Sequence, residues 1–216
     1  MVARPRKKKI SASDDDHLES ELSRILMRTG ATRFGLFKLS SGKLSPYYID
    51  LRMIPGDPNG LQTAIKIYER MVRSKIGVTS FDRIAGVPTA GVPYASILAY
   101  QLRKPLLYVR KEQKTHGAER RIEGQLLPGE RVLLVDDLIT TGKNTLQAAE
   151  AIRAEGGRVE NALVLIDRQE GGEAALAQAA LKLCAFTTVT RMATRLLESG
   201  VIEDEQYRSI VAQIAG

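Results

Sequence analysis

Short apolar runs alternate with amphipathic segments along most of the chain. The runs are rich in β-branched residues and lack polar interruptions, which is typical of parallel strands buried on both faces. Strands that alternate with helical segments predict right-handed βαβ units, and therefore an α/β fold with a doubly wound parallel sheet flanked by helices. The predicted strands are residues 83–87, 106–109, 132–135, 162–166 and 181–189, and the predicted helices between them are residues 61–74, 91–102 and 146–153.

The two ends of the chain extend this pattern. Residues 13–16 (SDDD) supply capping groups and negative charge for an N-terminal helix. Residues 34–52 alternate loosely around a Ser-Gly pair, which predicts a hairpin. Amphipathic segments near Met192 and Tyr207 predict two further helices at the end of the chain.

Composition bounds the class of protein. The chain has 216 residues and a formal net charge of +7, which favours phosphorylated or polyanionic ligands. We predict a disordered basic tail over residues 1–12 and a single domain over residues 13–216; contact between the tail and nucleic acid is the weaker alternative. The single cysteine, Cys184, fits a reducing compartment, and no apolar run reaches the roughly 20 residues of a membrane span. We therefore expect a cytoplasmic protein with no membrane partner.

Residues 132–145 (VLLVDDLITTGKNT) carry the most specific chemical pattern. An apolar strand stops at two adjacent carboxylates, Asp136 and Asp137, and a short Thr/Gly loop leads into a helix. In such a unit the backbone N–H groups of the loop and of the helix N-terminus point into one concavity, where they attract a phosphate. The carboxylates repel phosphate but fit sugar hydroxyls or a magnesium ion. The segment therefore predicts a sugar-phosphate ligand with a neighbouring diol.

Two better-known nucleotide loops do not match this segment. A P-loop requires Gly where Asp137 stands and Ser or Thr where Asn144 stands, and no Gly-x-Gly-x-x-Gly follows a strand. The alternative without a ligand is an Asp-capped helix start whose carboxylates complement the helix dipole. Two adjacent carboxylates behind a buried strand, followed by Thr-Thr-Gly, favour the functional interpretation.

A second candidate segment, residues 110–124, follows a strand and contains almost no apolar side chain, which predicts a mobile surface loop. Arg110, Lys111, Lys114 and His116 lie within it. Charged loops are often only solvated, but this one leaves the sheet at its ligand-binding edge. A cationic lid at that edge can stabilise the charge of a leaving anion and exclude water.

Four segments together carry a resemblance to a known family. They are residues 34–52 (FGLFKLSSGKLSPYYIDLR), 109–117 (VRKEQKTHG), 132–145 and 166–172 (IDRQEGG). In this order and spacing they resemble the type I phosphoribosyltransferases, and most specifically the orotate phosphoribosyltransferase family. The resemblance implies a reaction of orotate with phosphoribosyl pyrophosphate, which yields orotidine 5′-monophosphate and pyrophosphate and uses Mg²⁺.

The resemblance also implies roles for individual residues. The metal would be bound chiefly through the substrate, near Asp136 and Asp137, and a small hood formed by about residues 30–55 would cover the base. In the family the cationic loop reaches the neighbouring subunit, so a homodimer with a shared active site is implied. The implied catalytic residues are Lys111, Lys114, His116 and Asp137. The implied substrate-binding residues are Ser40, Tyr47, Tyr48, Arg110, Asp136, Leu138, Ile139, Thr140, Thr141, Gly142, Lys143, Asn144 and Arg168.

Arg168 comes directly after the strand predicted at residues 162–166 and its following Asp167, at the carboxyl edge of the sheet. A guanidinium there can bind the planar carboxylate of orotate through a bidentate fork. The alternative is a surface arginine that pairs with Asp167 or Glu170. Some members of the family carry lysine where Ser40 stands and near Ala90, so this sequence lacks two of their cationic contacts.

Two other functions remain open on the sequence. A purine-base phosphoribosyltransferase would share the phosphate loop but would not need the Arg168 carboxylate clamp. A ligand-sensing transcription regulator could reuse the fold with the basic tail on DNA. We expect no nucleic-acid partner, because too few residues precede the first helix for a helix-turn-helix and the catalytic loop is intact.

Overall fold

The computed structural model describes residues 12–38, 44–110 and 121–215. Its α-helices are α1 (Ala12–Arg28), α2 (Pro58–Met71), α3 (Gly91–Leu102), α4 (Lys143–Ala154), α5 (Gly172–Gln178), α6 (Val189–Glu198) and α7 (Asp204–Ala215). Its strands are β1 (Thr32–Lys38), β2 (Leu44–Ile49), β3 (Arg83–Gly86), β4 (Leu106–Val109), β5 (Ile122–Glu123), β6 (Arg131–Val135), β7 (Leu138–Ile139), β8 (Arg158–Asp167) and β9 (Lys182–Thr188). A 3-10 helix at Leu51–Gly56 and a π-helical turn at Val72–Ile76 flank α2.

The central sheet is mostly parallel and doubly wound. Its strand order is β5-β4-β3-β6-β8-β9, and β7 continues the row of β6 by pairing with the end of β8. Of the strands described in this sheet, only β5 runs antiparallel to its neighbour. The chain winds from β3 to β4 in one direction and from β6 to β8 and β9 in the other. Ligands of such folds bind outside the carboxyl ends of the strands where this reversal occurs, which here lies between β3 and β6.

Alternate residues of the central strands face two separate hydrophobic cores. In β6, Leu133 and Val135 pack in the core that also contains residues of α1, α2, α3, α6 and α7. Their neighbours Val132 and Leu134 pack on the opposite face with residues of α4 and α5. Because helices cover both faces of the sheet, an apolar side chain is favoured at every position of the strand. This explains the uninterrupted apolar run in the sequence.

The hood is a small antiparallel sheet of β1 and β2, with a register shift between Phe34 and Phe37. It packs against α7, where the Ser45 hydroxyl donates a 2.9 Å hydrogen bond to Oε1 of Gln213. The end of the hood is tied to α3, because the Tyr94 hydroxyl on that helix donates a 2.8 Å hydrogen bond to the Leu51 carbonyl. The hood segment is thereby held over the carboxyl edge of the sheet.

The structure confirms the α/β class and the order of predicted strands and helices, and it corrects several boundaries. The strand predicted at residues 162–166 is twice that length, Arg158–Asp167. Residues 122–123 and 138–139, which we expected to be loop, form the two-residue strands β5 and β7. The short helix α5 was not predicted. Elements this short carry too little periodicity to be recognised, and pairing with β4 and β8 is what defines the two strands.

The structure bears only partly on two further expectations, the basic tail and the absence of a membrane span. The predicted basic tail lies, up to residue 11, outside the described residues, so the predicted domain boundaries stay predictions. Within the three described stretches, no helix combines the length and apolar character that crossing a membrane requires.

Candidate active site

A cleft of about 620 Å³ opens at the carboxyl edge of the sheet, at the reversal of winding between β3 and β6. Three segments line it: residues 49–52 at the end of the hood, residues 88–90 after β3, and residues 136–145 from the end of β6 into α4. The sequence predicted the third segment as the centre of the site. The structure brings the loop at residues 88–90 to the same cavity.

Asp136 and Asp137 form the buried floor of this cleft, with only 8% and 7% of their surfaces exposed. Oδ1 of Asp136 accepts a 2.9 Å hydrogen bond from the Asp137 backbone N–H, and Oδ1 of Asp137 accepts one of 2.8 Å from the Leu138 N–H. Burial raises the pKa of both carboxyl groups, that of Asp136 well above its ordinary value, and the Asp137 charge raises it further. The fold therefore maintains two acidic groups at a desolvation cost, which favours a function in binding over simple helix capping.

The phosphate loop connects these carboxylates to α4. Gly142 precedes the helix in the left-handed conformation, with φ of 81°, and no side-chain hydrogen bond caps the helix start. The first-turn N–H groups from Lys143 to Thr145 therefore face the cleft without a protein side-chain acceptor at the cap position, and the helix dipole adds positive potential. A β-carbon on Gly142 would lie 2.7 Å from Cδ1 of Leu176, so the loop packs closely against α5 at this glycine.

The loop at residues 88–90 lies against the carboxylates because α3 starts unusually close to β6. The Val87 N–H donates a 2.9 Å hydrogen bond to the Val135 carbonyl. A β-carbon on Gly91 would lie 2.3 Å from that same carbonyl oxygen and 2.8 Å from Cα of Asp136. Only glycine permits this approach, and it brings the N-terminus of α3 beside the buried carboxylates.

The hood contributes a pair of charged residues that the sequence analysis did not identify. Nε and Nη2 of Arg52 donate hydrogen bonds of 2.6 Å and 2.8 Å to the two carboxylate oxygens of Asp50. Both residues line the cleft. The available signal was a charged Asp-x-Arg directly after an apolar strand, but its position over the sheet edge depends on tertiary contacts.

Arg168 lies outside the lining of the cleft, buried beneath the hood with 7% of its surface exposed. Its guanidinium carbon is 5.2 Å from the ring centre of Tyr47, which is also buried. Nη2 of Arg168 is 2.7 Å from Oε1 of Glu170, so the predicted alternative pairing with Glu170 is present, but the arginine is not a surface residue. In the described part of the chain, neither atom of that pair nor Arg168 Nε has an aligned hydrogen-bond partner. Unsatisfied buried donors are costly, and a planar carboxylate would satisfy them.

The two tyrosines of the hood differ in their surroundings. The Tyr47 hydroxyl is buried without a hydrogen-bond partner among the described residues, and burial raises its pKa while Arg168 opposes that change. Tyr48 is half-buried and packs against Phe37, with the Arg33 guanidinium 5.4 Å from its ring centre. Neither tyrosine lines the cleft, so their predicted contact with the base stays a prediction.

The base of the cationic loop lies next to the cleft. The Arg110 N–H donates a 2.8 Å hydrogen bond to the Arg121 carbonyl, so the chain leaves and returns to the sheet at one place. Arg110 Nη1 lies 3.0 Å from Glu123 Oε1. Arg110 lines a recess of about 570 Å³ that shares Pro88 and Thr89 with the cleft. Lys111, Lys114 and His116, like Ser40 in the hood, lie outside the described residues.

The carboxylates of the cleft suit a metal that is held mainly by its substrate. In the stretches that the structure describes, no group of three or more acidic, histidine or cysteine side chains could hold a metal ion by itself. Magnesium usually keeps several waters and binds through one or two carboxylates plus substrate phosphates. Asp136 and Asp137 fit that pattern.

Comparison with known proteins agrees with this geometry. The family model described as the phosphoribosyl transferase domain matches residues 56–180, and the chain belongs to that family. Within the family its relatives include the orotate phosphoribosyltransferase of Pyrobaculum aerophilum, which is 43% identical over 187 residues, 86% of this chain and 94% of that protein. The orotate phosphoribosyltransferase of Sulfolobus acidocaldarius is 40% identical over 179 residues, 82% of this chain and 87% of that protein.

Solved structures show the same relationship. Orotate phosphoribosyltransferase from Aeropyrum pernix matches with a TM-score of 0.71 and 35% identity, over 81% of this chain and 98% of that chain. UMP synthase from Leishmania donovani matches with a TM-score of 0.81 and 34% identity, over 91% of this chain. The match spans 42% of that longer protein, so the likeness concerns one part of it.

Proposed function

We propose that this protein transfers the 5-phosphoribosyl group of phosphoribosyl pyrophosphate to orotate, giving orotidine 5′-monophosphate and pyrophosphate in pyrimidine biosynthesis. The similar relatives named as orotate phosphoribosyltransferases support this assignment. The structural observation that carries it is the buried Asp136–Asp137 pair between two segments of backbone suited to anions. Phosphoribosyl pyrophosphate matches that arrangement, because its ribose diol lies between a 5′-phosphate and a pyrophosphate.

The roles of the cleft residues follow from their positions. The first turn of α4 and the Thr140–Thr141 loop would bind the 5′-phosphate through N–H and hydroxyl donors. Asp136 and Asp137 would accept hydrogen bonds from the ribose hydroxyls. The loop at residues 88–90 would hold the pyrophosphate. These contacts orient the anomeric carbon toward the base and use binding energy at groups remote from the reacting bond.

In the reaction, a ring nitrogen of orotate forms a bond to the anomeric carbon while the bond from that carbon to pyrophosphate breaks. The pyrophosphate leaves with the bonding electrons, and the nitrogen gives up its proton. We propose Mg²⁺ as the cofactor, near Asp136 and Asp137, because a cation there neutralises charge on the departing pyrophosphate. The cationic residues Arg110, Lys111, Lys114 and His116 would close over the leaving group and exclude water.

Arg168 would select orotate over bases that lack a carboxylate. Its guanidinium is buried, it lies against Tyr47, and its Nε and Nη2 lack aligned hydrogen-bond partners among the described residues. A purine has no carboxylate to satisfy these donors. The neighbouring Glu170 has to give up its 2.7 Å contact, or share it, when the orotate carboxylate arrives.

We also propose that the protein is a cytoplasmic homodimer whose cationic loop completes the neighbouring active site. The family resemblance supports this proposal, together with the position of the loop base beside the cleft. A partner-supplied lid allows substrate to enter an open cleft and be enclosed afterwards.

A base-specificity assay tests the proposed function. Wild-type protein is incubated with phosphoribosyl pyrophosphate, Mg²⁺ and either orotate, uracil, adenine or hypoxanthine, and pyrophosphate release is measured. We expect turnover with orotate alone. Arg168→Ala should lower kcat/KM for orotate about 30-fold, because charge-assisted hydrogen bonds to the carboxylate are lost. This corresponds to a loss of about 2 kcal/mol of transition-state stabilisation. Equal wild-type rates with orotate and uracil, or turnover of a purine in place of orotate, would contradict the proposal.

A further inference from the structure

The charge balance of the cleft poses a problem for an anionic substrate. Among its described lining residues, Asp50, Asp136 and Asp137 are carboxylates, and Arg52 and Lys143 are the cations. Lys143 begins α4, at the end of the cleft assigned to the 5′-phosphate. The loop at residues 88–90, assigned to the pyrophosphate, is Pro-Thr-Ala and supplies no charge. The pyrophosphate carries more negative charge than the 5′-phosphate, so a cation in the lining of the cleft itself, at the pyrophosphate end, would add to the positive charge that Mg²⁺ and the cationic loop are proposed to supply.

The fold places Arg52 at that end. The Tyr94 hydroxyl donates a 2.8 Å hydrogen bond to the carbonyl of Leu51, the residue before Arg52. Tyr94 lies in the first turn of α3, directly after the loop at residues 88–90. The hydrogen bond therefore holds the backbone next to Arg52 beside the first turn of α3, the helix into which the loop at residues 88–90 leads.

Asp50 orients the guanidinium of Arg52. It accepts from Nε at 2.6 Å and Nη2 at 2.8 Å, and its Oδ1 also accepts a 3.2 Å hydrogen bond from the Arg52 backbone N–H. This fork occupies one edge of the guanidinium and leaves the Nη1 group outside the pair. The Arg52 side chain is 65% exposed, and exposed pairs contribute little to stability. A fixed but exposed arginine in a cleft is suited to bind a ligand.

We propose that Arg52 binds the pyrophosphate group of phosphoribosyl pyrophosphate and that Asp50 is its positioning residue. This inference rests on the proposed function for the identity of the ligand. It adds a substrate contact from the hood, so that one short segment both covers the base and neutralises the leaving group. Arginine suits this role because its planar group can donate two hydrogen bonds to neighbouring phosphate oxygens.

A competing explanation is that Arg52 only neutralises Asp50. The Asp50 charge raises the pKa of Asp137, so an unpaired Asp50 would disturb the centre of the cleft. The two explanations differ in a double-mutant cycle. If neutralisation is the whole role, Asp50→Asn removes the need for Arg52, and Arg52→Gln has no further effect in that background. If Arg52 contacts the ligand, Arg52→Gln weakens binding in both backgrounds.

The experiment titrates full-length wild type, Arg52→Gln, Asp50→Asn and the double variant by calorimetry in magnesium buffer. Inorganic pyrophosphate and ribose 5-phosphate are used separately as probes of the two ends of the cleft. We expect Arg52→Gln to raise the pyrophosphate Kd at least tenfold, both with Asp50 intact and in the Asp50→Asn background, and to change the ribose 5-phosphate Kd less than twofold. Arg73→Gln is the matched control, because Arg73 is also exposed and paired with a nearby carboxylate, Glu69 at 2.6 Å, but lies away from the cleft; it should bind both probes like wild type.

Several outcomes would overturn the inference: unchanged pyrophosphate affinity in Arg52→Gln, rescue by Asp50→Asn, or equal losses for both probes. Thermal melting is run on every variant, and an unchanged Tm is expected for Arg52→Gln. If Arg52→Gln melts at a lower temperature than wild type, Arg52→Lys is used in its place. Lysine keeps the charge but lacks the planar fork, so the pyrophosphate Kd should rise at least threefold while the ribose 5-phosphate Kd stays unchanged. Wild-type pyrophosphate affinity in Arg52→Lys would overturn the inference.

The result is independent of turnover. Arg52-dependent pyrophosphate binding in a wild type that does not consume orotate would refute the proposed function and leave this inference standing. Normal orotate turnover with Arg52-independent pyrophosphate binding would do the reverse.

Discussion

The Tyr68 hydroxyl on α2 donates a 2.5 Å hydrogen bond to the main-chain carbonyl of Asp136. Both groups are buried, and the two residues are 68 positions apart in the chain. The Asp136–Asp137 peptide interrupts the strand row between β6 and β7, so its carbonyl is not available for regular ladder pairing. Tyr68 therefore holds the backbone at Asp136, where β6 ends and the lining of the cleft begins.

Tyr68→Phe should destabilise the protein by about 1 to 3 kcal/mol, because it leaves the Asp136 carbonyl buried without its partner. It should also weaken phosphoribosyl pyrophosphate binding, since the carboxylates are no longer held in one position. Chemical denaturation and calorimetry measure the two effects. Tyr100→Phe is the control, because Tyr100 is 86% exposed and should change neither quantity. Wild-type stability in Tyr68→Phe would show that the hydrogen bond is not a support of the site.

The double variant Asp136→Asn, Asp137→Asn should be more stable than wild type at neutral pH and should lose affinity for phosphoribosyl pyrophosphate. Burial raises the pKa of both carboxyl groups in the folded state, so ionising them costs folding free energy. The contribution of these two groups to wild-type stability is complete below the ordinary aspartate value of 3.8 and is lost as pH rises through their folded-state pKa values. The stability gain of the variant should therefore shrink as pH falls toward that value.

Denaturation midpoints of the two proteins from acid to neutral pH check this dependence. Glu198→Gln, which removes an exposed carboxylate from the end of α6, should show no comparable gain. A double variant that is less stable at neutral pH, or that binds the substrate normally, would contradict the assignment of these residues to a destabilising binding role.

Gly91→Ala should cost about 1 to 3 kcal/mol of stability and reduce substrate affinity, because the new β-carbon would lie 2.3 Å from the Val135 carbonyl oxygen. Relief requires α3 to move away from β6, and with it the loop at residues 88–90. Gly56→Ala provides the control, since a β-carbon there meets nothing within 4 Å. If both variants keep wild-type melting temperature and pyrophosphate affinity, the close approach is not needed.

Mixing two inactive variants tests the shared active site. Lys114→Ala carries a defect in the cationic loop, and Asp137→Ala carries one in the cleft. If the loop acts in the neighbouring subunit, a mixed dimer has one site with both defects and one with neither. Re-equilibrating equal amounts should restore up to about one quarter of wild-type activity, because about half the dimers are mixed. No recovery, with subunit exchange confirmed by differential labelling, would place the loop in its own subunit's site.

Local sequence patterns identified the centre of this site because their physical cause is local. The strand at residues 132–135, the adjacent Asp136 and Asp137, and the helix that follows lie in one short segment. An apolar run that ends in carboxylates and a Thr/Gly loop has few ways to fold once the sheet is parallel. Arg168 was placed correctly at the end of β8 for the same reason, and its contact with Glu170 was predicted as the alternative pairing, but its burial was not foreseen.

The sequence by itself determined the α/β class, the order of the main strands and helices, and the edge of the sheet that carries the chemistry. Only the tertiary structure decided which distant residues support or complete the site. Tyr68 reaches Asp136 from α2, Tyr94 ties the hood to α3, and this tie brings Arg52 to the cleft. Periodicity records which face of an element is buried, but not which atom of another element meets it there. Such contacts depend on how helices pack across the sheet, and no local pattern specifies that packing.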